Sequence, residues 1–300
     1  MRLGIIGMSE GNGHPYSWSA ICNGYDRDAM DGCGFPAIPQ YLKAQRFPYD
    51  AIASANVTHV WAQDVGIANH IAKAAHIATV VKQFTDMIGQ VDGVLIARDD
   101  AETHEAFAAP FLEAGLPVYV DKPLAYSCSE AQAIVDRQRY PGQLFSCSAL
   151  RYATELQLTV KMRQMIGPIR YVQATVPKDW KKYAIHVIDP ILSAVGPVGP
   201  LVRSVGHRRN GVATVTAKYE NNIAINITAF GSIPAPIAIR FHGETGFVEL
   251  VFKDSFSAFK AALVDFVEGA LHRDVRTPPH AILNTVELIE SGWRCLQDEQ

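Results

Sequence analysis

Short apolar runs separated by helical stretches organise the first half of the chain. Residues 2–7, 57–61, 77–81, 91–97, 118–120 and 143–149 each read as a strand. Val118, Tyr119 and Val120 are apolar on both faces, as in a strand buried on both sides of a parallel sheet. Between these runs, 67–75, 84–89, 106–114 and 129–139 read as helices, the third closed by Gly115. Strands alternating with helices predict a doubly wound parallel sheet. The exception is 22–49, rich in Gly, Pro and Asp, which reads as a long irregular insertion with a short helix near 38–44.

The second half has a different pattern. A helix over 155–165 and a strand over 169–176 are followed, after Gly199, by strand-like runs at 201–208, 212–219, 223–230, 237–241 and 247–252. Asn221-Asn222 between two of them is a hairpin signal. This predicts a largely antiparallel sheet with helices on one side. The fold class is therefore α/β: a Rossmann-type parallel sheet over 1–148, then an α/β domain with an open, largely antiparallel sheet over 149–300. A sheet this aliphatic with few helices is expected to bury its other face in a homodimer or homotetramer.

A chain of 300 residues suits two domains, and 48% hydrophobic with 19% charged content is ordinary for a globular protein. A net charge of −3 leaves no basic footprint for nucleic acid. No apolar run approaches a membrane span, and a first strand beginning at Arg2 leaves no room for a signal peptide. Five scattered cysteines without zinc-ligand spacing point to a reducing cytoplasm. His70 and His76 are not at i, i+4, so no metal is expected.

The chemistry centres on Asp121-Lys122-Pro123. Proline ends strand pairing there, which puts Lys122 just past a strand's carboxyl end, where open α/β sheets bind ligands. A lysine there can donate hydrogen bonds, hold charge or trade a proton, while from position alone it also reads as a solvated loop lysine. The turn Gly7-Met8-Ser9-Glu10-Gly11-Asn12-Gly13 would let backbone approach a pyrophosphate. It departs from G-x-G-x-x-G, with Ser9 and Asn12 where the second and third glycines would stand. Asp64, after the second strand, is a candidate ligand of the ribose hydroxyls or a cap of the following helix. In the second half His186 and Asp189 lie i, i+3 on a predicted helix. Beside apolar residues His186 reads as a structural histidine or as a neutral ring able to take the proton of a hydroxyl, and Asp189 can orient that ring or cap the helix.

The ordered set 91–96, His104, 113–118 and 121–125 resembles the Gfo/Idh/MocA oxidoreductases. Their Glu-Lys-Pro hallmark has here the variant Asp121-Lys122-Pro123. The resemblance continues through 149–152, 165–169, the His-x-x-Asp of His186 and Asp189, the turn 242–249 and the helix 259–270, and so covers nearly the whole chain. It implies NAD (NADP is the alternative) and hydride transfer at a hydroxyl carbon of a sugar, nucleotide sugar or polyol. It implies Lys122 near the nicotinamide and the reacting hydroxyl, and His186 as proton acceptor or donor. The two are expected to meet across an interdomain cleft, with Asp121 turned away to fix the strand end. Gly7, Met8, Ser9, Gly11, Asn12, Asp64, Arg98, His104 and Lys122 are then the cofactor-binding candidates, and Asp64 favours NAD. Lys122, Arg151, Lys182, Tyr183 and His186 are the substrate-binding candidates. Many members carry a glycine pair, and an aspartate four residues before the histidine; Lys182 stands at that place here.

Two other readings compete. A dinucleotide-binding regulator would keep the fold without turnover, although it has no use for both Lys122 and His186. A sugar hydrolase that retains and regenerates NAD would be active without net NADH.

Overall fold

The computed structural model describes residues 1–297. The chain forms two compact units. The first comprises 1–125, 132–146 and 259–279; the second comprises 126–131, 147–258 and the described residues from 280 onward.

The first unit is built on a six-stranded sheet of β1 (Arg2–Ile6), β2 (Asn56–Trp61), β3 (Thr79–Val80), β4 (Gly93–Ile96), β5 (Val118–Val120) and β6 (Leu144–Phe145). Its order is β3-β2-β1-β4-β5-β6 and every pairing is parallel. The order reverses between β1 and β4, so the ligand crevice of such a sheet lies beyond the carboxyl ends of those strands. Every residue of β4 and β5 is buried, as helices on both faces require. The core is aromatic on one side of β5. Trp18 stacks on Tyr119 at 4.7 Å, and Phe145 and Phe266 close on the same ring at 4.6 and 5.6 Å. Phe266 belongs to the helix Ser255–His272, whose residues from 259 onward belong to this unit.

The stretch 22–49 is half helical: the expected helix near 38–44 stands at Ala37–Lys43, and Arg27–Asp31 and the end of His14–Asn23 add to it, so the stretch is less irregular than expected. A helix of five residues is too short to show a clear period, and Asp26 and Gly32 mark the ends of Arg27–Asp31. Asp26 caps it by accepting from the Ala29 N–H at 2.8 Å. The expected strands 77–81 and 143–149 shrink to two residues each, because β3 and β6 are edge strands paired on one side only.

The second unit holds β7 (Ile169–Val176), β8 (Leu201–Arg209), β9 (Val212–Tyr219), β10 (Ala224–Ala229), β11 (Ala238–Gly243) and β12 (Phe247–Val251). Its order is β12-β11-β7-β10-β9-β8, antiparallel except between β7 and β10. Asn222, at φ 66°, makes the turn between β9 and β10. The helix expected over 155–165 is split into a single turn at Thr154–Leu156 and a helix at Val160–Ile166. Thr159 causes the break, because its hydroxyl caps Met162 N–H at 3.2 Å. A C-terminal helix, Pro279–Gln297, was not among the expected elements. It buries Ile282, Val286, Ile289 and Leu296 at spacings of three, four and seven residues, one face of an amphipathic helix.

Candidate cofactor-binding and proton-transfer sites

In the first unit the loops leaving β1, β2, β4 and β5 gather at one edge of the sheet. The turn after β1 is held by side chains from the other three. Gln63, just past β2, accepts the Met8 N–H at 3.0 Å and donates to the Met8 carbonyl. Arg98, just past β4, donates to the same Gln63 oxygen at 2.9 Å, pairs with Asp100 and lies 4.9 Å over the Phe107 ring. The Ser9 hydroxyl donates to Asp99 at 2.7 Å and accepts the Asp99 N–H at 3.0 Å. Met8, Ser9 and Arg98 therefore shape the turn as a group, and Gln63 is a partner that sequence reasoning missed.

Asp121 is the anchor from β5. It is 1% exposed and accepts from Asn12 Nδ2 at 2.8 Å, His14 Nδ1 at 2.6 Å and the Lys122 N–H at 2.7 Å. Burial pushes its carboxyl up, but the neighbouring His14 and Lys122, with their hydrogen bonds, hold it well below the usual carboxylate range. His14 is in turn clamped by Trp18, stacked at 5.0 Å, and by the edge of Phe259 at 5.0 Å. Asp121 thus does more than end its strand: it ties the β5 tip to the glycine turn. Lys122 is 6% exposed beside it.

The turn is suited to a pyrophosphate. Among the described residues, the N–H groups of Ser9, Gly11 and Gly13 donate no hydrogen bond, while the His14 N–H is taken by Asn12. Gly13 starts the helix His14–Asn23, which has no side-chain cap and carries Pro15 in its first turn. Open N–H groups at a helix start are what phosphate oxygens take. Gly11 sits at φ 76°, a conformation costly for residues with a Cβ, and faces open space.

Two candidates are placed differently from a direct cofactor contact. His104 is fully buried, and its ring spans the Leu124 carbonyl at 2.9 Å and the Arg98 carbonyl at 2.8 Å. It pins the chain after β4 to the chain after β5 rather than presenting a ring atom. Asp64 is exposed and caps the helix Val65–Ala74, its Oδ1 accepting the Ile67 N–H at 2.9 Å. Capping uses one oxygen and leaves the other for a hydroxyl.

In the second unit the proton-handling candidate His186 lies in the first turn of the helix Ile185–Val195. Its Nδ1 meets the Ser148 hydroxyl at 3.1 Å, not Asp189. Asp189 accepts the Ser148 N–H at 2.7 Å and Arg151 Nη2 at 2.5 Å. Asp189 therefore bonds the backbone of Ser148, the residue whose hydroxyl meets the histidine. Burial would depress the Arg151 guanidinium, yet the Asp189 carboxylate beside it holds it above its ordinary value. Arg151, a substrate-binding candidate, is thus committed to Asp189, with its Nε buried and unpaired among the described residues. Ser148 was missed because its only local signal, a cap on the turn Ala149–Tyr152, is shared with many serines.

Tyr183 sets its ring edge-on to His186 at 5.2 Å, and its hydroxyl accepts from Lys178 Nζ at 2.5 Å. Lys182 is half-buried in the same short helix, Trp180–Tyr183, and its N–H is capped by Asp179 at 3.0 Å. Among the described residues no cluster of His, Cys, Asp and Glu could hold a metal ion, and no helix is long and apolar enough to cross a membrane.

Residues 29–148 match the model of an oxidoreductase family with an NAD-binding Rossmann fold, Gfo/Idh/MocA. The resemblance carried by Asp121-Lys122-Pro123 is borne out over that segment, which begins after the glycine turn. No curated protein matches the chain in sequence. Among solved structures, myo-inositol 2-dehydrogenase from Lactobacillus plantarum superposes with a TM-score of 0.77 at 14% identity, over 100% of this chain and 98% of that one. The NAD complex of GenD2 from gentamicin A biosynthesis gives 0.74 at 15% identity, over 100% and 95%. UDP-N-acetylglucosamine 3-dehydrogenase from Acidithiobacillus ferrooxidans gives 0.71 at 16%, over 99% and 98%. At such identities the likeness is one of fold.

Proposed function

We propose that this chain, whose residues 29–148 belong to the Gfo/Idh/MocA oxidoreductase family, is an NAD-dependent enzyme that moves a hydride to or from a hydroxyl carbon of a sugar, nucleotide sugar or polyol. The observation that carries the reading is Lys122. It is buried at the tip of β5, next to an ionised Asp121 that is itself bonded into a turn with open N–H groups. A regulator that only binds NAD does not explain a buried lysine at that point.

NAD, when bound, accepts or returns the hydride. The chain does the rest. The N–H groups of Ser9, Gly11 and Gly13 take the pyrophosphate, and the second oxygen of Asp64 takes the ribose hydroxyls. A carboxylate there disfavours a 2′-phosphate, which selects NAD over NADP. Lys122 holds and polarises the carbinol oxygen. His186 exchanges its proton, its ring steadied by the Ser148 hydroxyl at Nδ1.

The test is incubation of the purified protein with NAD and a panel of sugars, sugar phosphates, nucleotide sugars and polyols, followed at the nicotinamide absorbance. Net NADH on one class supports the reading. NAD binding without turnover on any class favours the regulator, and product without net NADH favours the hydrolase.

A further inference from the structure

The second unit contains a small basic cavity that none of the roles above uses. It measures about 230 Å³ and is lined by Lys178, Lys181, Arg208, Trp293, Gly211 and Gly231, among others. Trp293 is its organising ring. Lys181 Nζ lies 4.3 Å from that ring and the Arg208 guanidinium 5.4 Å from it. Lys181 is also 5.0 Å from the Tyr126 ring, so it is held between two aromatic faces. The ring is placed by Gly292. A Cβ there would come within 2.2 Å of Trp180, so only glycine lets the helix Pro279–Gln297 press flush on that residue. Trp180 Nε1 then donates to the Ile289 carbonyl at 2.9 Å. The far wall is closed by the backbone pair Lys178 and Gly231, bonded both ways at 2.9 and 2.8 Å.

The charge is one-sided. Asp179 alone is acidic among the lining residues, and one of its oxygens already accepts the Lys182 N–H. Among the described residues none of Lys178, Lys181 and Arg208 forms a salt bridge. Gathering three cations with no acidic partner among the described residues is unfavourable, and an anion relieves it. Guanidinium with two ammonium groups suits phosphate in particular, since arginine offers a planar fork and lysine a point charge. At about 230 Å³ the cavity is smaller than the roughly 300–1,000 Å³ that enclose a whole ligand. It fits one end group.

Lys178 connects this cavity to the proton-handling histidine. Its ammonium donates one hydrogen to the Tyr183 hydroxyl at 2.5 Å and keeps two others. Tyr183 is the residue whose ring meets His186 at 5.2 Å. We infer that the cavity of Lys178, Lys181, Arg208 and Trp293 is an anion subsite that holds the phosphate of a phosphorylated sugar substrate while its carbinol is presented to His186. This rests on the hydride-transfer reading above and names the substrate class.

The phosphate group itself is the first probe. Calorimetric titration of the whole protein with inorganic phosphate is expected to show saturable binding in the millimolar range. Arg208→Gln and Lys181→Gln are each expected to weaken it about tenfold, the scale of a lost charge-assisted hydrogen bond. Arg170→Gln serves as the control, because Arg170 is exposed and pairs with Glu244; it should leave phosphate binding as in the wild type. Absence of saturable binding, or equal weakening by Arg170→Gln, overturns the subsite. Competition then identifies the source of the phosphate. Displacement by a hexose monophosphate supports the proposal. Displacement by a UDP-hexose alone overturns it in favour of a diphosphate. Phosphate binding that depends on Arg208, with no substrate turned over, leaves the subsite standing and removes only the hydride-transfer reading.

Discussion

The Asp121 carboxylate accepts a hydrogen bond from His14 Nδ1 at 2.6 Å, although the two residues are 107 positions apart. The contact joins the tip of β5, where Lys122 stands, to the start of the helix that follows the glycine turn. It also makes Asp121 a buried anion with three donors. Asp121→Asn should destabilise the protein at pH 7 by about 1.5–3 kcal/mol, the worth of hydrogen bonds to a charged group, as read by urea unfolding. The folded carboxyl ionises more readily than the unfolded one. Its contribution is therefore complete above the unfolded range, about pH 3.9, and is lost as pH falls toward the lower folded range. The gap between wild type and variant should narrow below about pH 4, and a gap that stays constant to pH 3 would show that the charge is not its source.

Gly11 stands at φ 76° with open space where its side chain would be. A β-branched residue is strained in that region, whereas asparagine tolerates it. Gly11→Val should therefore raise the NAD dissociation constant at least tenfold, and Gly11→Asn should raise it less. Fluorescence titration of NADH measures both. Equal, unchanged affinities would move the pyrophosphate away from this turn.

Removing a positioned acid–base group costs about a hundred-fold to ten-thousand-fold in rate. Lys122→Ala and His186→Ala should each lose turnover on that scale while still binding NAD. Ser148→Ala is expected to cost less, and to shift the pH profile of kcat, because it removes the hydroxyl at Nδ1 and keeps the imidazole. Near wild-type turnover in either of the first two variants would end the role given to that residue.

Arg151 and Asp189 form an ion pair at 2.5 Å, with side chains 15% and 3% exposed. Arg151→Leu strands a buried carboxylate and should cost about 3–5 kcal/mol. The double variant Arg151→Leu/Asp189→Leu should recover much of that loss. A double variant as unstable as the single one would mean that Arg151 stabilises the unit by packing rather than charge.

Val202, Val205, Phe247 and Val251 are exposed on the edge strands β8 and β12. We expect the antiparallel sheet to bury such side chains in a homodimer or homotetramer. Light scattering that gives only monomer at micromolar concentration would exclude this.

Much of the fold was legible along the chain. Buried parallel strands announce themselves as runs apolar on both faces, and β1, β2, β4 and β5 stand within a residue or two of where those runs place them; the half-buried β7 and β9 are as well placed by their apolar alternation. Glycine, proline and capping residues mark where elements stop, because their backbone preferences act locally. Lys122 and His186 could be singled out for the same reason, each from its own short motif. What the chain order could not show are partnerships between distant residues. Asp121 with His14, Gln63 with Met8 and Ser148 with His186 are made by side chains that meet only when strands and helices pack. The five-residue helix Arg27–Asp31 is too short to carry a readable period and owes its stability to burial against the rest of its unit. The sequence by itself determined most of the elements and singled out the side chains proposed to carry chemistry. Only tertiary structure decided which partner each of those side chains meets, because hydrogen bonds and ion pairs are short-ranged in space and indifferent to separation along the chain.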